Sequence, residues 1–330
     1  MITPSTQTLP IISTGIFVLL IIGSSWTVDR VDTKSISFSD CSNTSCLTFT
    51  IKAKCQVFDL FGGEFPNEDG SGLRVECSET NGKELHRDVD NLRYTTNRSI
   101  VHLKVRDSKL NDMTDLPSGL VGIRSLILDN TNIDLQVIKE SAEMLSSLTK
   151  LKIFNENYTT VPDLFYTMHE LSTLWLNDIG IVAISDNAFQ HLDDSIVELS
   201  LRENKLRTIP QAVTTLMKIE TLDLTDNEIY SVSDGIANDL SRSLNRVKRI
   251  KMNRLNCSCE FAKSRFARWV RENAIKDVEC LFPARFRGYD VWSTPIEDFC
   301  SSQINIIANL YLVLASLVFL KLIGNTNNSI

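Results

Sequence analysis

The cysteines carry the clearest chemical pattern in this chain. Four lie near the start and four near the end: Cys41, Cys46, Cys55 and Cys77, then Cys257, Cys259, Cys280 and Cys300. Two such groups on either side of a cysteine-free stretch indicate disulfides, which persist in the oxidising environment of exported proteins. Zinc binding is the competing interpretation. A single residue separates Cys257 from Cys259, instead of the two found in common zinc knuckles, and no histidine lies nearby. We therefore expect disulfides and no metal.

The other residues capable of chemistry form no catalytic pattern. None of the four histidines has a second histidine three or four residues away, and none belongs to a nucleophile or metal motif: His86, His102, His169 and His191. The chain also contains no nucleophile elbow, metalloprotease motif, phosphate-binding loop or calcium loop. The sequence predicts no catalytic residue, no cofactor and no enzyme activity.

The chain contains five acceptor sequences (Asn-x-Ser/Thr) for N-linked glycans. They begin at Asn43, Asn97, Asn157, Asn256 and Asn327. In an exported protein an exposed sequence of this kind is a candidate glycan site. We predict glycosylation at the first four, of which Asn256 is the least favourable because Cys257 is its middle residue.

The N-terminus is typical of a cleavable signal peptide. Ile11–Ile22 is an apolar run of 12 residues, shorter than the roughly 20 that cross a bilayer as a helix. The small residues Gly23, Ser24 and Ser25 follow, so we place cleavage after Ser25. Met1–Pro10 lacks the usual lysine or arginine, which leaves an interior strand or helix as the alternative.

A second apolar run lies near the C-terminus. It covers residues 304–324 and is interrupted by Asn305, Asn309 and Lys321. We predict that it attaches the chain to a membrane as a single transmembrane helix, with Lys321 reaching the inner interface. A glycolipid anchor attached at the small residues Ser301 and Ser302 is the second interpretation, and a buried core helix is the third.

The middle of the chain is an array of repeats. The template L-x-x-L-x-L-x-x-N-x-L recurs six times, 23 or 25 residues apart, with starts at Ile100, Ile123, Leu148, Leu171, Ile196 and Ile219. Each copy predicts a short strand with its leucines in the core. No repeat can bury its apolar face alone, so neighbouring repeats stack and their strands join into one parallel sheet.

The ninth position of the template normally carries an asparagine that closes the turn. Only repeats five and six keep it, as Asn204 and Asn227, whereas repeats three and four have Glu156 and Ile179. We therefore expect regular hydrogen bonding between turns in repeats five and six and looser bonding in repeats three and four.

The stretch after the repeats carries the most specific motif. Its parts are Asn256-Cys257-Ser258-Cys259-Glu260-Phe261, Phe266-x-x-Trp269-Val270, Cys280-x-x-Pro283 and Asp298-Phe299-Cys300. It resembles the cysteine-rich C-terminal cap of animal extracellular leucine-rich-repeat proteins such as Slit, Toll and trophoblast-glycoprotein relatives. The resemblance implies an α/β solenoid: a leucine-rich-repeat horseshoe with a curved parallel sheet and disulfide-bonded caps at both ends. It further implies the pairs Cys257–Cys280 and Cys259–Cys300 and, at the N-terminus, 41–55 and 46–77.

These patterns divide the chain into five predicted segments. They are a signal peptide (1–25), an N-terminal cap region (26–99), six repeats (100–246), a closing strand with the C-terminal cap (247–300), and a membrane-attachment segment with a short tail (301–330).

The concave face of the sheet is the predicted binding site. Basic residues dominate its first three repeats, aromatic residues its centre and acidic residues its last two. We select as binding residues Ile127, Lys152, Phe154, Trp175, Glu220 and Asp223. Aromatic side chains often dominate interfaces. The competing interpretation is that Trp175 only covers the sheet.

The sequence thus predicts a cell-surface protein that binds a protein ligand or co-receptor and acts as a receptor, in adhesion or in immune recognition. A formal net charge of −7 argues against nucleic acid, whose phosphates favour a basic surface. Self-association is compatible with the sequence. The alternative is an auxiliary subunit of a membrane complex such as an ion channel. Potassium-channel auxiliary subunits share this plan but carry a basic cluster after the helix, which this tail lacks.

Export and glycosylation can be tested together. After expression in animal cells, enzymatic removal of N-linked glycans should lower the apparent mass of the full chain by several glycans, because the acceptor sequences lie in the part predicted to enter the secretory pathway. Gel mobility before and after treatment checks this. An unchanged mobility would contradict the exported topology.

Overall fold

The computed structural model of the chain describes residues 18–22, 25–29, 49–51, 55–59, 72–301 and 314–315. Cys41, Cys46, Asn43 and nearly all of the predicted membrane segment lie outside these residues. Within them, no helix is both long and apolar enough for a membrane crossing. Strand β1 (Val18–Ile22) pairs antiparallel with β2 (Ser25–Asp29), and the signal peptide stays a prediction.

One sheet contains most of the remaining strands. In chain order the strands are β3 (Phe49–Ile51), β4 (Cys55–Asp59), β5 (Leu73–Ser78), β6 (Ile100–Arg106), β7 (Ser125–Asp129), β8 (Lys150–Phe154), β9 (Thr160–Val161), β10 (Thr173–Asn177), β11 (Ala183–Ile184), β12 (Glu198–Ser200), β13 (Thr221–Asp223), β14 (Arg249–Asn256) and β15 (Lys276–Phe282). Strands β9 and β11 form a separate parallel pair. The other eleven form one sheet, parallel from β5 to β15 and antiparallel from β3 to β5.

The leucines of successive repeats form the core. The register partners across the sheet are Leu103, Leu126, Leu151, Leu174, Leu199, Leu222 and Ile250. All seven are fully buried. This confirms the solenoid fold, and each predicted repeat contributes one strand to the sheet. Two parallel strands were not predicted from the sequence because they lack the leucine template: β5, which precedes the first repeat, and β15, which follows the closing strand β14.

The return segments explain the alternating repeat lengths. Short 3-10 turns at Ser118–Leu120 and Gln211–Thr215 follow Pro117 and Pro210 in repeats one and five. The longer even repeats two and six contain α-helices. In chain order the helices are α1 (Gly82–Thr96), α2 (Leu135–Glu140), α3 (Asp234–Ser243), α4 (Cys259–Lys263) and α5 (Arg265–Glu272).

A disulfide-bonded cap closes each end of the core. At the C-terminal end the bonds are Cys257–Cys280 and Cys259–Cys300, in agreement with the pairing that the resemblance implies. At the N-terminal end Cys55 bonds to Cys77, so the pairs 41–55 and 46–77 are wrong. The reason is register: Cys55 and Cys77 lie directly opposite each other on antiparallel β4 and β5.

Hydrogen bonds between turns are regular where the template keeps its asparagine. The Asn204 side chain accepts from the Ile179 and Ile181 amides and donates to the Leu176 carbonyl. Asn227 accepts from the Leu206 amide at 3.1 Å. The asparagine of repeat five therefore satisfies backbone groups of repeat four, whose own ninth residue, Ile179, has no polar side chain.

Glu156 overturns the expectation of looser bonding in repeat three. Its carboxylate accepts hydrogen bonds from the Thr131 amide at 2.6 Å, the Thr131 hydroxyl at 2.7 Å and the Asn132 amide at 2.9 Å. The longer side chain reaches the preceding turn and serves as the acceptor there. Burial raises the pKa of Glu156, while the hydrogen bonds from Thr131 and Asn132 act in the opposite direction.

The raised pKa makes the contribution of Glu156 to stability depend on pH. A carboxyl whose pKa is raised by folding takes up a proton more readily in the folded state, so its contribution to stability is lost as pH rises through that pKa. We expect the stability of the parent relative to Glu156→Gln to increase as pH falls from 7 towards 4. Denaturant unfolding of both proteins across this pH range measures the difference in their unfolding free energies. A constant difference, or one that grows with rising pH, would contradict the assignment.

Candidate binding face

The strand side chains that point away from the core form the face that we call the concave face. Strands lie about 4.8 Å apart, whereas helices in the returns are about 10 Å wide, so stacking bends the solenoid towards the sheet. One row across the middle of this face, the central row, is set by the strand register. It consists of Glu76, Lys104, Ile127, Lys152, Trp175, Ser200, Asp223 and Lys251.

Four of the six predicted binding residues come together near the middle of the sheet. Trp175 is partly exposed and meets Phe154 edge-on, with ring centroids 6.1 Å apart and an interplanar angle of 85°. The Lys152 Nζ lies 3.2 Å from the centroid of the Trp175 ring. Ile127 precedes Lys152 in the central row and is also partly exposed. We call these four residues the central cluster.

The indole of Trp175 has an unused hydrogen-bond donor. Its Nε1 is buried and has no partner among the described residues. A buried donor without a partner is unfavourable, and indole N–H groups usually find one. The central cluster therefore combines apolar surface with a polar group that is still unsatisfied.

Lys152 covers the face of that indole. An ammonium over an aromatic face is attracted by the electron-rich ring. Burial lowers the pKa of Lys152, and the nearby charge of Glu198 acts against this. The ammonium is thus partly withdrawn from water, and no salt bridge links it to an acid among the described residues.

His102 is a functional candidate that the sequence analysis did not select. It lies on β6, where its register partners are Arg74 on β5 and Ser125 on β7. Its Nε2 is buried without a partner in the described part of the chain. Burial, together with the charge of Arg74, lowers the pKa of His102 to about 4. The imidazole is therefore neutral at neutral pH, and no sequence motif marks it.

The two acidic residues selected from the sequence lie apart from the central cluster, and both already form ion pairs within the chain. Glu220 forms a salt bridge with Lys248 at 2.7 Å. Asp223 is only 8% exposed; its carboxylate contacts the Lys251 Nζ at 2.9 Å and accepts from the Thr225 amide at 3.1 Å. The expected open acidic patch is therefore wrong at Asp223, because the closing strand β14 places a lysine against it.

Two further cations on this half of the face are also paired. Arg249 pairs with Asp277 at 2.7 Å, and Arg202 pairs with Glu203 at 2.5 Å. On the opposite half, Lys104 and Arg106 of β6 form no ion pair with any described residue. The unmatched positive charge of the face therefore lies beside the central cluster, towards the first repeats.

The described residues show no metal centre. No group of three or more histidine, cysteine, aspartate or glutamate side chains among them is arranged to hold a metal ion. His169 and His191 lie on the neighbouring return segments of repeats three and four, with ring centroids 6.4 Å apart, and His86 contacts Asp115. Of the predicted glycan sites, Asn97, Asn157 and Asn256 are exposed.

Comparison with known proteins gives a resemblance in structure but none in sequence. No family model matches the chain, and no curated protein matches it in sequence. Among solved structures, it is similar to the crystal structure of human 5T4, also called Wnt-activated inhibitory factor 1 or trophoblast glycoprotein. The identity is 17% and the TM-score 0.44, over 61% of this chain and 77% of that chain. The strands and disulfides described above, rather than this likeness, define the chain as a leucine-rich-repeat solenoid with disulfide-bonded caps.

The internal pairing of Asp223 predicts a structural role for this residue. Asp223→Ala would leave Lys251 without its acid and the Thr225 amide without its acceptor, so we expect a loss of about 1–3 kcal/mol of unfolding free energy. Glu220→Ala is the matched control. Its salt bridge is exposed, and such pairs contribute about 1 kcal/mol or less.

Denaturant unfolding of the two variants measures both effects. If Asp223→Ala were no more destabilising than Glu220→Ala, the carboxylate would be free for a partner, as the sequence first suggested.

Proposed function

We propose that this chain is a cell-surface binding protein that engages a protein partner through its concave face, with the central cluster as the contact centre. The partly exposed Trp175, packed edge-on against Phe154 on the open side of the sheet, is the observation that carries this proposal. Tryptophan and arginine are enriched among the few residues that supply most of the energy of an interface.

The rest of the chain is consistent with such a role. The disulfides in both caps suit an oxidising compartment outside the cytosol. In our proposal the segment 301–330 holds the solenoid at the membrane, as a transmembrane helix or through a glycolipid anchor. The protein acts as a receptor, in adhesion or in immune recognition, and the chain performs no catalysis.

Position within the sheet supports the choice of this face. The central cluster lies on β7, β8 and β10, with parallel strands on both sides. Its backbone is therefore held by hydrogen bonds on both edges, and the side chains are presented by a rigid scaffold. A rigid, preorganised surface loses little conformational entropy on binding, which favours affinity.

Trp175→Ala is the direct test. We expect affinity for a partner captured with the 26–300 ectodomain to fall by about 2 kcal/mol, roughly thirtyfold, the usual threshold for a dominant contact. Unfolding free energy should change by no more than about 1 kcal/mol, because the side chain is partly exposed and lies outside the leucine core. Surface plasmon resonance and denaturant unfolding provide the two measurements.

Leu176→Ala is the matched control for stability. Leu176 is the next residue and is almost fully buried, so its truncation should cost about 2–5 kcal/mol of stability. If Trp175→Ala destabilised the fold to the same extent and left binding intact, Trp175 would be a structural residue and the proposed contact centre would be wrong.

A further inference from the structure

We propose that the partner presents an acidic segment in which carboxylates flank an apolar or aromatic side chain. The carboxylates would pair with Lys104 and Lys152, and the apolar group would cover Ile127 and Trp175. This inference rests on the proposed function and specifies the chemistry of the partner at that site.

The first argument is the order of side chains in the central row. Lys104, Ile127 and Lys152 are consecutive register partners on β6, β7 and β8. Neighbouring strands are about 4.8 Å apart, so the Cα atoms of the two lysines lie about 10 Å apart, with an aliphatic side chain between them. Trp175 follows directly on β10. A complementary surface therefore alternates acidic and apolar groups on the same spacing.

The second argument is the distribution of matched charge. On β12 to β14 and the turns that follow β12 and β13, cations of the concave face already have acids: Lys248 has Glu220, Lys251 has Asp223 and Arg249 has Asp277. These three cations are therefore not available to a partner without breaking an existing ion pair. Lys104 and Arg106 have no acidic partner among the described residues. Complementary charge from a partner is therefore favourable beside the central cluster, where it would also orient the approach.

The third argument is the position of Lys152. Its ammonium is partly buried and lies 3.2 Å from the centroid of the Trp175 ring; the charge of Glu198 acts on it without forming an ion pair. A partner carboxylate would supply the charge-assisted hydrogen bond that this ammonium lacks, and such bonds are stronger than neutral ones. Drawing Lys152 towards the acid would also uncover the indole face for the partner's apolar group.

A polyanionic glycan fits this surface less well than a protein segment. The two lysines are separated by the aliphatic Ile127, and Phe154 and Trp175 lie beside them, whereas a polyanion favours continuous positive charge. The net charge of −7 also opposes a polyanion at long range. Heparin is therefore the competing ligand to include in the test.

The test uses the full chain, purified in detergent and immobilised, and a phage-displayed library of random peptides as the probe. Binding of selected peptides is then measured by fluorescence polarisation against three proteins. They are the parent, the double variant Lys104→Gln with Lys152→Gln, and the control Lys248→Gln with Arg249→Gln. The control removes two exposed cations of the same face that already have acidic partners.

We expect selected peptides to combine aspartate or glutamate with a neighbouring aromatic or aliphatic residue. Their affinity should fall at least tenfold for the double variant at Lys104 and Lys152, and less than threefold for the control. The loss should shrink at high salt, because charge interactions are screened there. Circular dichroism confirms that all three proteins are folded.

Three results would overturn the inference. Peptides that need Trp175 but lack acids, and bind the double variant normally, would refute the acidic partner while leaving the proposed function intact. Peptides that bind independently of Trp175→Ala would refute both. Heparin binding that requires Lys104 and Lys152, without selection of acidic peptides, would replace the protein segment with a polyanion.

Discussion

The structure depends on the stacking of leucines from one repeat onto the next. A strand of three to seven residues has no stable core of its own, and it becomes stable only when Leu151, for example, packs between Leu126 and Leu174 on the neighbouring strands. Because this stacking is the same in every repeat, the sheet grows in one direction and leaves an unsatisfied apolar surface at each end. The disulfide-bonded caps follow from that requirement, as does the open face opposite the core.

Much of the fold could be predicted from the sequence because the stacking repeats in register. The template places leucines at fixed positions, so Leu103 to Leu222 could be assigned to one ladder without any coordinates. Residues whose roles depend on a neighbouring repeat could not be predicted this way. Glu156 occupies the position of the template asparagine, yet its carboxylate accepts a hydrogen bond from Thr131 of the preceding turn. Nothing within its own repeat indicates that the side chain extends to that turn. Cys55 was mispaired because the antiparallel hairpin that sets it opposite Cys77 has no repeat signature.

The binding face shows the same division. Alternation along a strand placed Trp175, Phe154, Lys152 and Ile127 on one side, and the structure brings them together. Alternation does not report what a side chain contacts across strands. Asp223 was therefore selected as a binding residue, although the Lys251 Nζ lies 2.9 Å from its carboxylate. For the same reason, Lys104, which has no ion pair among the described residues, could not be distinguished from the lysines and arginines that do. The charge available to a partner is what remains after these pairs form, and it lies beside the central cluster. Identifying this remaining charge requires the positions of the side chains, which the sequence alone does not give.

A glycan placed on the concave face would block a partner that binds there. Glu198→Asn creates the acceptor sequence Asn-Leu-Ser on β12, on the strand next to Trp175. Asp193→Asn creates Asn-Asp-Ser in the turn before that strand, and Glu198→Gln controls for the lost charge. With each glycan confirmed by mass spectrometry, binding of the secreted ectodomain to its captured partner is measured. If the partner binds the concave face, binding is lost only with Glu198→Asn. Equal binding by both glycosylated proteins would contradict it.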